Sequence, residues 1–191
     1  MSTPDADNRR EYYRIEDTLA LEFRPLREDE IQSQEVLQDD SALFNLLSDL
    51  HLADFESQHL LRHIHERDRP LASYLKVMNK RIDLIAQALT QSLLSEIGPA
   101  RRVTLSEGGI NFRDAQPLPV GQDLALKIVL LPHGLGLLLR AKVTHCQQQA
   151  EGDYEIGTEF EMLGDAPRQL LARHILQRQA LERRQAKARE E

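Results

Sequence analysis

Three arginines near the start of the chain have the residue type and spacing to bind an anion. Arg9 and Arg10 are adjacent, and Arg14 follows four residues after Arg10. A guanidinium group is a planar fork that donates two parallel hydrogen bonds to phosphate oxygens or to the O6 and N7 edge of guanine, and it also stacks on bases. The residues alone leave a second interpretation open, in which these arginines form ion pairs with the acid-rich N-terminal third.

A second candidate site lies in the middle of the chain, in the segment Thr104–Ile110, which reads TLSEGGI. The hydroxyl of Ser106 can donate and accept hydrogen bonds, and the missing side chain of Gly109 would permit a ligand to approach the backbone closely. Serine and glycine in this pattern are also typical of a simple turn between two strands, so both readings stand.

The elements that would position these residues are mostly strands. Apolar and polar residues alternate from Thr18 to Arg24, and Pro25 ends that strand. The alternation returns after Pro99 in short segments separated by turn residues: 103–112, 123–131, 137–143 and 154–162. A closing helix should begin at about Asp165, with Pro167 in its first turn. Short antiparallel strands at this spacing predict a small barrel or sandwich.

Between the first strand and the others, residues 27–98 have a helical pattern. The first helix should start at Ser41, and Asp68 should cap a second one that Gly98 and Pro99 end. Apolar residues recur at alternating steps of four and three along the second helix. Such a seam packs either against the first helix alone or also against helices of other chains. The seam residues are Leu71, Leu75, Met78, Ile82, Ile85 and Leu89.

Taken in order, these segments resemble the PilZ domain family. Arg10 and Arg14 resemble its RxxxR motif, and Thr104–Ile110 resembles its second motif, [D/N]xSxxG. The turn Pro119–Gly121 and the strand Ile156–Phe160 follow in the family's order. The resemblance covers about residues 8–26 and 99–190, and the two motifs in sequence make it specific.

The resemblance implies an α+β fold: a small antiparallel six-stranded β-barrel with a two-helix insertion after the first strand and a C-terminal helix. The domains would be a disordered N-terminus over residues 1–8, a barrel with its final helix over 9–26 and 99–191, and a helical oligomerisation insertion over 27–98. One branch of the family assembles as a tetramer through such inserted helices, so we expect a homo-oligomer, a tetramer by resemblance.

The resemblance also implies a ligand, because the two PilZ motifs bind an intercalated dimer of cyclic di-GMP. The residues carried over as ligand-binding are Arg9, Arg10, Arg14, Thr104, Ser106 and Gly109. Thr104 stands where the family has Asp or Asn, so the acceptor for the guanine edge is shorter and uncharged. A guanine donor left without its acceptor costs about 1–3 kcal/mol, which predicts an affinity lower by roughly one to two decades. Two functions therefore remain: a cyclic di-GMP receptor or adaptor, and a PilZ-fold scaffold that no longer binds nucleotide and works through its helical oligomer.

Composition limits the other classes of function. The net charge of −7 argues against binding to nucleic-acid polymers or anionic membranes. The lone Cys146 excludes an intramolecular disulfide and suits a reducing cytoplasm. Glu56, His59 and His63 have helical spacing but lack a further strong ligand, so we expect a solvated helix face, no metal and no cofactor. No catalytic constellation is evident, and we expect a cytoplasmic, non-enzymatic protein that acts on an unknown downstream protein.

Overall fold

The computed structural model describes residues 13–28, 30 and 40–190. The expected disordered segment 1–8, together with Arg9 and Arg10, lies outside these residues. The described part contains six strands and three helices. In chain order they are β1 (Ile15–Pro25), α1 (Ala42–Arg67), α2 (Arg69–Ile97), β2 (Arg101–Leu105), β3 (Gly109–Asp114), β4 (Asp123–Leu130), β5 (Leu135–Gln148), β6 (Tyr154–Glu161) and α3 (Asp165–Glu190).

The strands form a closed antiparallel barrel in the order β1, β2, β3, β6, β5, β4, which β1 closes by pairing with β4. Closure leaves the described barrel without a free edge strand, and each strand must then alternate between inward and outward residues. Leu19 and Leu21 of β1 point into the barrel core, as the alternation predicts. The predicted six-stranded barrel with two helices inserted after β1 and a C-terminal helix is confirmed.

A second apolar cluster covers the outside of the barrel at β1 and β4. Ala20 and Val129 point outward there and pack against Phe44 and Leu47 of α1 and Leu93 of α2. The inserted helices therefore dock on the barrel wall, and both faces of β1 and β4 are buried where they do so. This explains why β4 carries a nearly continuous apolar run instead of a strict alternation.

The ends of the inserted helices follow from local chemistry. The side chain of Ser41 accepts a hydrogen bond from the Phe44 amide at 3.3 Å and caps α1. Asp68 ends α1 and caps α2, with Oδ1 accepting from the Leu71 amide at 2.9 Å. Gly98 has a φ of 105°, which favours glycine, and α2 ends just before it. The predicted cap of the second helix at Asp68 and its predicted end at Gly98 are both confirmed.

Three of the four buried residues of α2 have small side chains. Its buried residues are Ala72, Ala86, Thr90 and Leu93. None of the six heptad-seam residues is among these buried residues. Within the single chain the seam is only partly covered: Leu71, Ile82 and Ile85 are exposed, whereas Leu75, Met78 and Leu89 are half-buried.

Helix α3 packs onto the barrel core through Leu170, Leu171 and Ile175. A buried polar cluster joins the helix to β1. Nε2 of His174 lies 2.6 Å from Oδ2 of Asp17, and Nε of Arg178 lies 2.9 Å from Oδ1 of the same carboxylate. Each carboxylate oxygen of Asp17 thus has a polar partner on α3, and these contacts offset the cost of burying a charged group in the first strand.

Over residues 13–28, 30 and 40–190, no helix combines the length and the apolar character needed to cross a bilayer.

Candidate functional site

The hairpin turn between β2 and β3 is built around the side chain of Ser106. Its Oγ accepts hydrogen bonds from the amides of Gly108 at 3.3 Å and Gly109 at 3.1 Å, and it lies 3.2 Å from the Gly109 carbonyl oxygen, to which it donates. The Ser106 amide also donates to that carbonyl at 2.9 Å. The serine therefore holds the turn in shape, as the turn interpretation of this segment predicts.

Gly109 is required by the close approach of β6. A Cβ atom added at this position would lie 2.1 Å from the carbonyl oxygen of Thr158, which is far inside van der Waals contact. The adjacent Gly108 carbonyl accepts from the amide of Phe160 at 2.8 Å and fixes the turn against the same strand. The serine and the glycine of this segment thus have structural functions, whatever they do toward a ligand.

A surface cavity of about 240 Å³ opens beside this turn. Arg14, the residue just before β1, lines it together with Thr104, Ser106 and Gly109. Arg14 is exposed, so its guanidinium group is accessible to a ligand in water. The barrel thus brings together four of the six residues that sequence analysis named, although they are distant in the chain. The other two, Arg9 and Arg10, lie outside the described residues.

Thr104, at the position where the second motif carries Asp or Asn, has a partner on the neighbouring strand. It lies opposite Glu16 in the register of β1 and β2, and its Oγ1 donates to Oε1 of Glu16 at 2.8 Å. Glu16 is exposed and sits two residues after Arg14. A carboxylate is therefore present at this rim of the barrel, on β1 instead of β2.

Further residues that sequence analysis did not select also line the cavity. They come from β3, β5 and β6: Asn111, Thr144, His145, Thr158 and Glu159. The His145 ring lies over Gly157, where a Cβ would be 1.9 Å from the ring carbon Cε1. Gly157 thereby gives the imidazole its place on the outer face of the barrel. The alternation of β3 already put Asn111 on the same face as Thr104, but only the pairing of the strands reveals that the two are neighbours.

A second surface cavity, of about 430 Å³, continues from the first along the outer face. Thr104 and Asn111 line both, and Glu16 and Arg102 line the second only. Arg113 also lines it, with NH1 2.9 Å from Oε2 of Glu151. The combined surface has arginines and carboxylates side by side, which suits a ligand that carries both anionic groups and hydrogen-bond donors.

The other candidates from the sequence do not come together. No group of three or more His, Cys, Asp or Glu side chains that could hold a metal ion is present in the described part of the chain, and His63 lies 3.7 Å from Glu66 on the exposed surface of α1.

Comparison with known proteins identifies the fold and the family. A family profile described as the PilZ domain matches residues 76–177, which run from the first third of α2 to the middle of α3. No curated protein sequence matches the chain. A solved structure of a pathogenic protein from Xanthomonas campestris, described as a tetrameric PilZ domain self-assembled through a helical bundle, superposes with a TM-score of 0.55 and 19% identity. That match covers 96% of this chain and 95% of the Xanthomonas chain, and it shows a shared fold.

Two further solved structures match only part of the chain. YcgR from Escherichia coli, in complex with c-di-GMP, has a TM-score of 0.40 and 17% identity over 48% of this chain and 41% of its own. The inhibitor of motility MotI from Bacillus subtilis has a TM-score of 0.37 and 21% identity over 42% and 43%.

Proposed function

Because the chain belongs to the PilZ domain family, we propose that it is a non-enzymatic receptor for cyclic di-GMP that acts as a homo-oligomer in bacterial second-messenger signalling. The observation that carries the proposal is the shared cavity: Arg14, from before the helical insertion, and Ser106 and Gly109, from after it, line one site.

The chemistry of the cavity suits a cyclic dinucleotide. The guanidinium group of Arg14 can bind a phosphate or the Hoogsteen edge of guanine through two parallel hydrogen bonds. The tight turn at Gly108 and Gly109 brings backbone atoms to the surface without side chains in the way. Arg9 and Arg10 would add two further cations from the N-terminal segment. Ligand would draw that segment against the barrel and change a surface that a downstream protein reads.

Isothermal titration calorimetry with cyclic di-GMP tests the receptor proposal. We expect saturable binding by the native protein and a loss of about tenfold to hundredfold in affinity for Arg14→Ala, since a charge-assisted bidentate contact is removed. Arg24→Ala is the matched control, because Arg24 is an exposed arginine at the opposite end of β1 that pairs with Glu30. Native protein that gives no heat at high ligand concentration would refute the proposal, as would equal losses in both variants.

We further propose that the protein assembles through α2, as a tetramer. Besides Leu71, Ile82 and Ile85 of the predicted seam, α2 exposes a second stripe of large apolar residues that sequence analysis did not include: Tyr74, Val77 and Leu84. Ile85 is 61% exposed in the single chain. A contiguous apolar stripe of this length on a helix is typical of an interface between proteins. The Xanthomonas protein of the same fold is described as a tetramer built by a helical bundle.

Light scattering coupled to size exclusion tests the assembly. The native chain should elute as a tetramer at micromolar concentration, and Ile82→Asp with Ile85→Asp should dissociate it, because burying two uncompensated carboxylates in an apolar interface is strongly unfavourable. Val120→Asp is the control, since Val120 is 65% exposed but lies in the loop before β4. A native monomer, or dissociation by the control alone, would contradict the proposal.

One observation favours the second candidate function, the scaffold that no longer binds nucleotide. The hydroxyl of Thr104 is engaged by Glu16, and the described hydrogen bonds of Ser106 lie within its own turn. A protein that forms the α2 oligomer but gives no heat with cyclic di-GMP would support this alternative.

A further inference from the structure

A row of polar positions crosses the outer face of the barrel at the cavity. In the strand register, Glu16 of β1 lies opposite Thr104 of β2, and Thr104 lies opposite Asn111 of β3. Asn111 lies opposite Gly157 of β6, which pairs in turn with His145 of β5. The Cβ atoms of residues opposite each other across antiparallel strands lie about 4.5–5.5 Å apart, so Glu16, Thr104 and Asn111 form a strip of hydrogen-bonding groups. Gly157 has no side chain, and the ring of His145 covers it.

Thr104 holds the carboxylate of Glu16 in place within this strip. The hydrogen bond from Thr104 Oγ1 to Glu16 Oε1 is 2.8 Å long, and both side chains are at the surface. A carboxylate has about four lone-pair sites, so accepting one proton from a threonine leaves it able to accept from a ligand. Without the threonine, an exposed glutamate would sample several rotamers and would lose entropy on binding.

Glu16 is also within reach of the group that would hold the phosphate. It follows Arg14 by two residues, and both side chains are exposed whereas Ile15 between them is buried, so the two lie on one face of the chain. The cavities lined by Arg14 and by Glu16 share Thr104 and Asn111, so a single ligand can occupy both.

We propose that Glu16 is the residue that recognises guanine in this protein and that Thr104 is a positioning residue for it. The inference rests on the proposed function as a cyclic dinucleotide receptor and adds its specificity. Guanine presents N1–H and an N2 amino group along one edge, and a carboxylate accepts from both. Adenine presents an unprotonated N1 at the same place, which a carboxylate repels. The strip therefore selects guanine over adenine dinucleotides.

The experiment measures the affinities of cyclic di-GMP and cyclic di-AMP for the full chain by calorimetry. Native protein should prefer cyclic di-GMP. Glu16→Gln should weaken cyclic di-GMP binding by about tenfold to hundredfold and narrow the preference over cyclic di-AMP, because the amide accepts less strongly and donates to adenine. Glu22→Gln is the matched control: Glu22 is an exposed glutamate of the same strand that lines neither cavity, and its loss should leave the preference unchanged.

Variants of Thr104 separate positioning from a general effect on folding. Thr104→Val removes the hydrogen bond at nearly constant volume and should lower the ratio of the two affinities, and Thr104→Ser should restore it. In the Glu16→Gln background, Thr104→Asp places a carboxylate on β2 and should recover guanine binding. In the native background, the same Thr104→Asp places two carboxylates next to each other and should not increase the affinity for cyclic di-GMP.

The outcomes distinguish this inference from the receptor proposal. Cyclic di-GMP binding that is unchanged in Glu16→Gln, or reduced equally in Glu22→Gln, would overturn the role of Glu16 and leave the receptor proposal standing. Native protein that binds no cyclic di-GMP would overturn both.

Discussion

The buried carboxylate of Asp17 should be a major determinant of stability. Its side chain is 1% exposed and contacts His174, which is 7% exposed, and Arg178, which is 31% exposed. Asp17→Asn keeps the volume but removes the negative charge that both α3 side chains approach. Breaking a buried ion pair by removing one partner costs about 3–5 kcal/mol, because the remaining charge is left uncompensated.

We expect a value near the lower limit, about 3 kcal/mol, since Arg178 can turn toward water and the asparagine carbonyl still accepts one hydrogen bond. For a chain of this size that loss corresponds to a fall of roughly 6–12 °C in the melting temperature. Urea unfolding followed by circular dichroism measures the free energy, with all variants compared at one protomer concentration because an oligomer unfolds in a concentration-dependent way.

Glu22→Gln is the matched control, since Glu22 is on the same strand but is exposed and lies 3.9 Å from Lys127. An exposed pair contributes less than about 1 kcal/mol. Asp17→Asn should also lower the free energy of unfolding by less in a His174→Gln background, because the two side chains belong to one hydrogen-bonded cluster. An Asp17→Asn variant within about 0.5 kcal/mol of the native protein would refute the view that this cluster fastens α3 to the barrel.

Two further predictions concern single sites. Gly109→Ala should lower the free energy of unfolding by about 1–3 kcal/mol, because its Cβ would meet the Thr158 carbonyl. Gly164→Ala is the control, since its Cβ would have its nearest contact at 3.8 Å and should change the stability little. Equal urea midpoints for the two variants would contradict the prediction. Burial, with nearby His51, His174 and Arg173, lowers the pKa of His133 against an opposing effect of Asp83. This histidine in the unfolded chain, with a pKa of about 6.5, therefore takes up a proton first, and stability should fall as the pH drops below that value. His133→Gln should flatten that part of the curve of unfolding free energy against pH.

The amino-acid sequence was sufficient to predict the elements that depend only on residues close together in the chain. The alternation in β1 and in the strands after Pro99 indicated a small β-barrel, because a residue's face on a strand depends only on its position in the chain. Asp68 and Gly98 marked the helix ends for the same reason, since a cap and a positive φ involve only a few neighbouring residues. The family motifs added the order of the strands and the candidate site.

Tertiary structure decided what depends on the register of strands and the docking of helices. The alternation of apolar and polar residues predicts a first strand from Thr18, whereas β1 starts at Ile15. The polar residue Asp17 interrupts the apolar pattern, and it can point inward only because α3 covers it. The motif predicts that Thr104 leaves the guanine edge without a carboxylate acceptor, whereas the pairing of β2 with β1 puts the carboxylate of Glu16 beside Thr104. The sequence does not reveal which residues of α2 face inward and which face outward, since that depends on where α1 and the barrel wall contact the helix. All three results come from contacts between residues far apart in the chain, which no local pattern encodes.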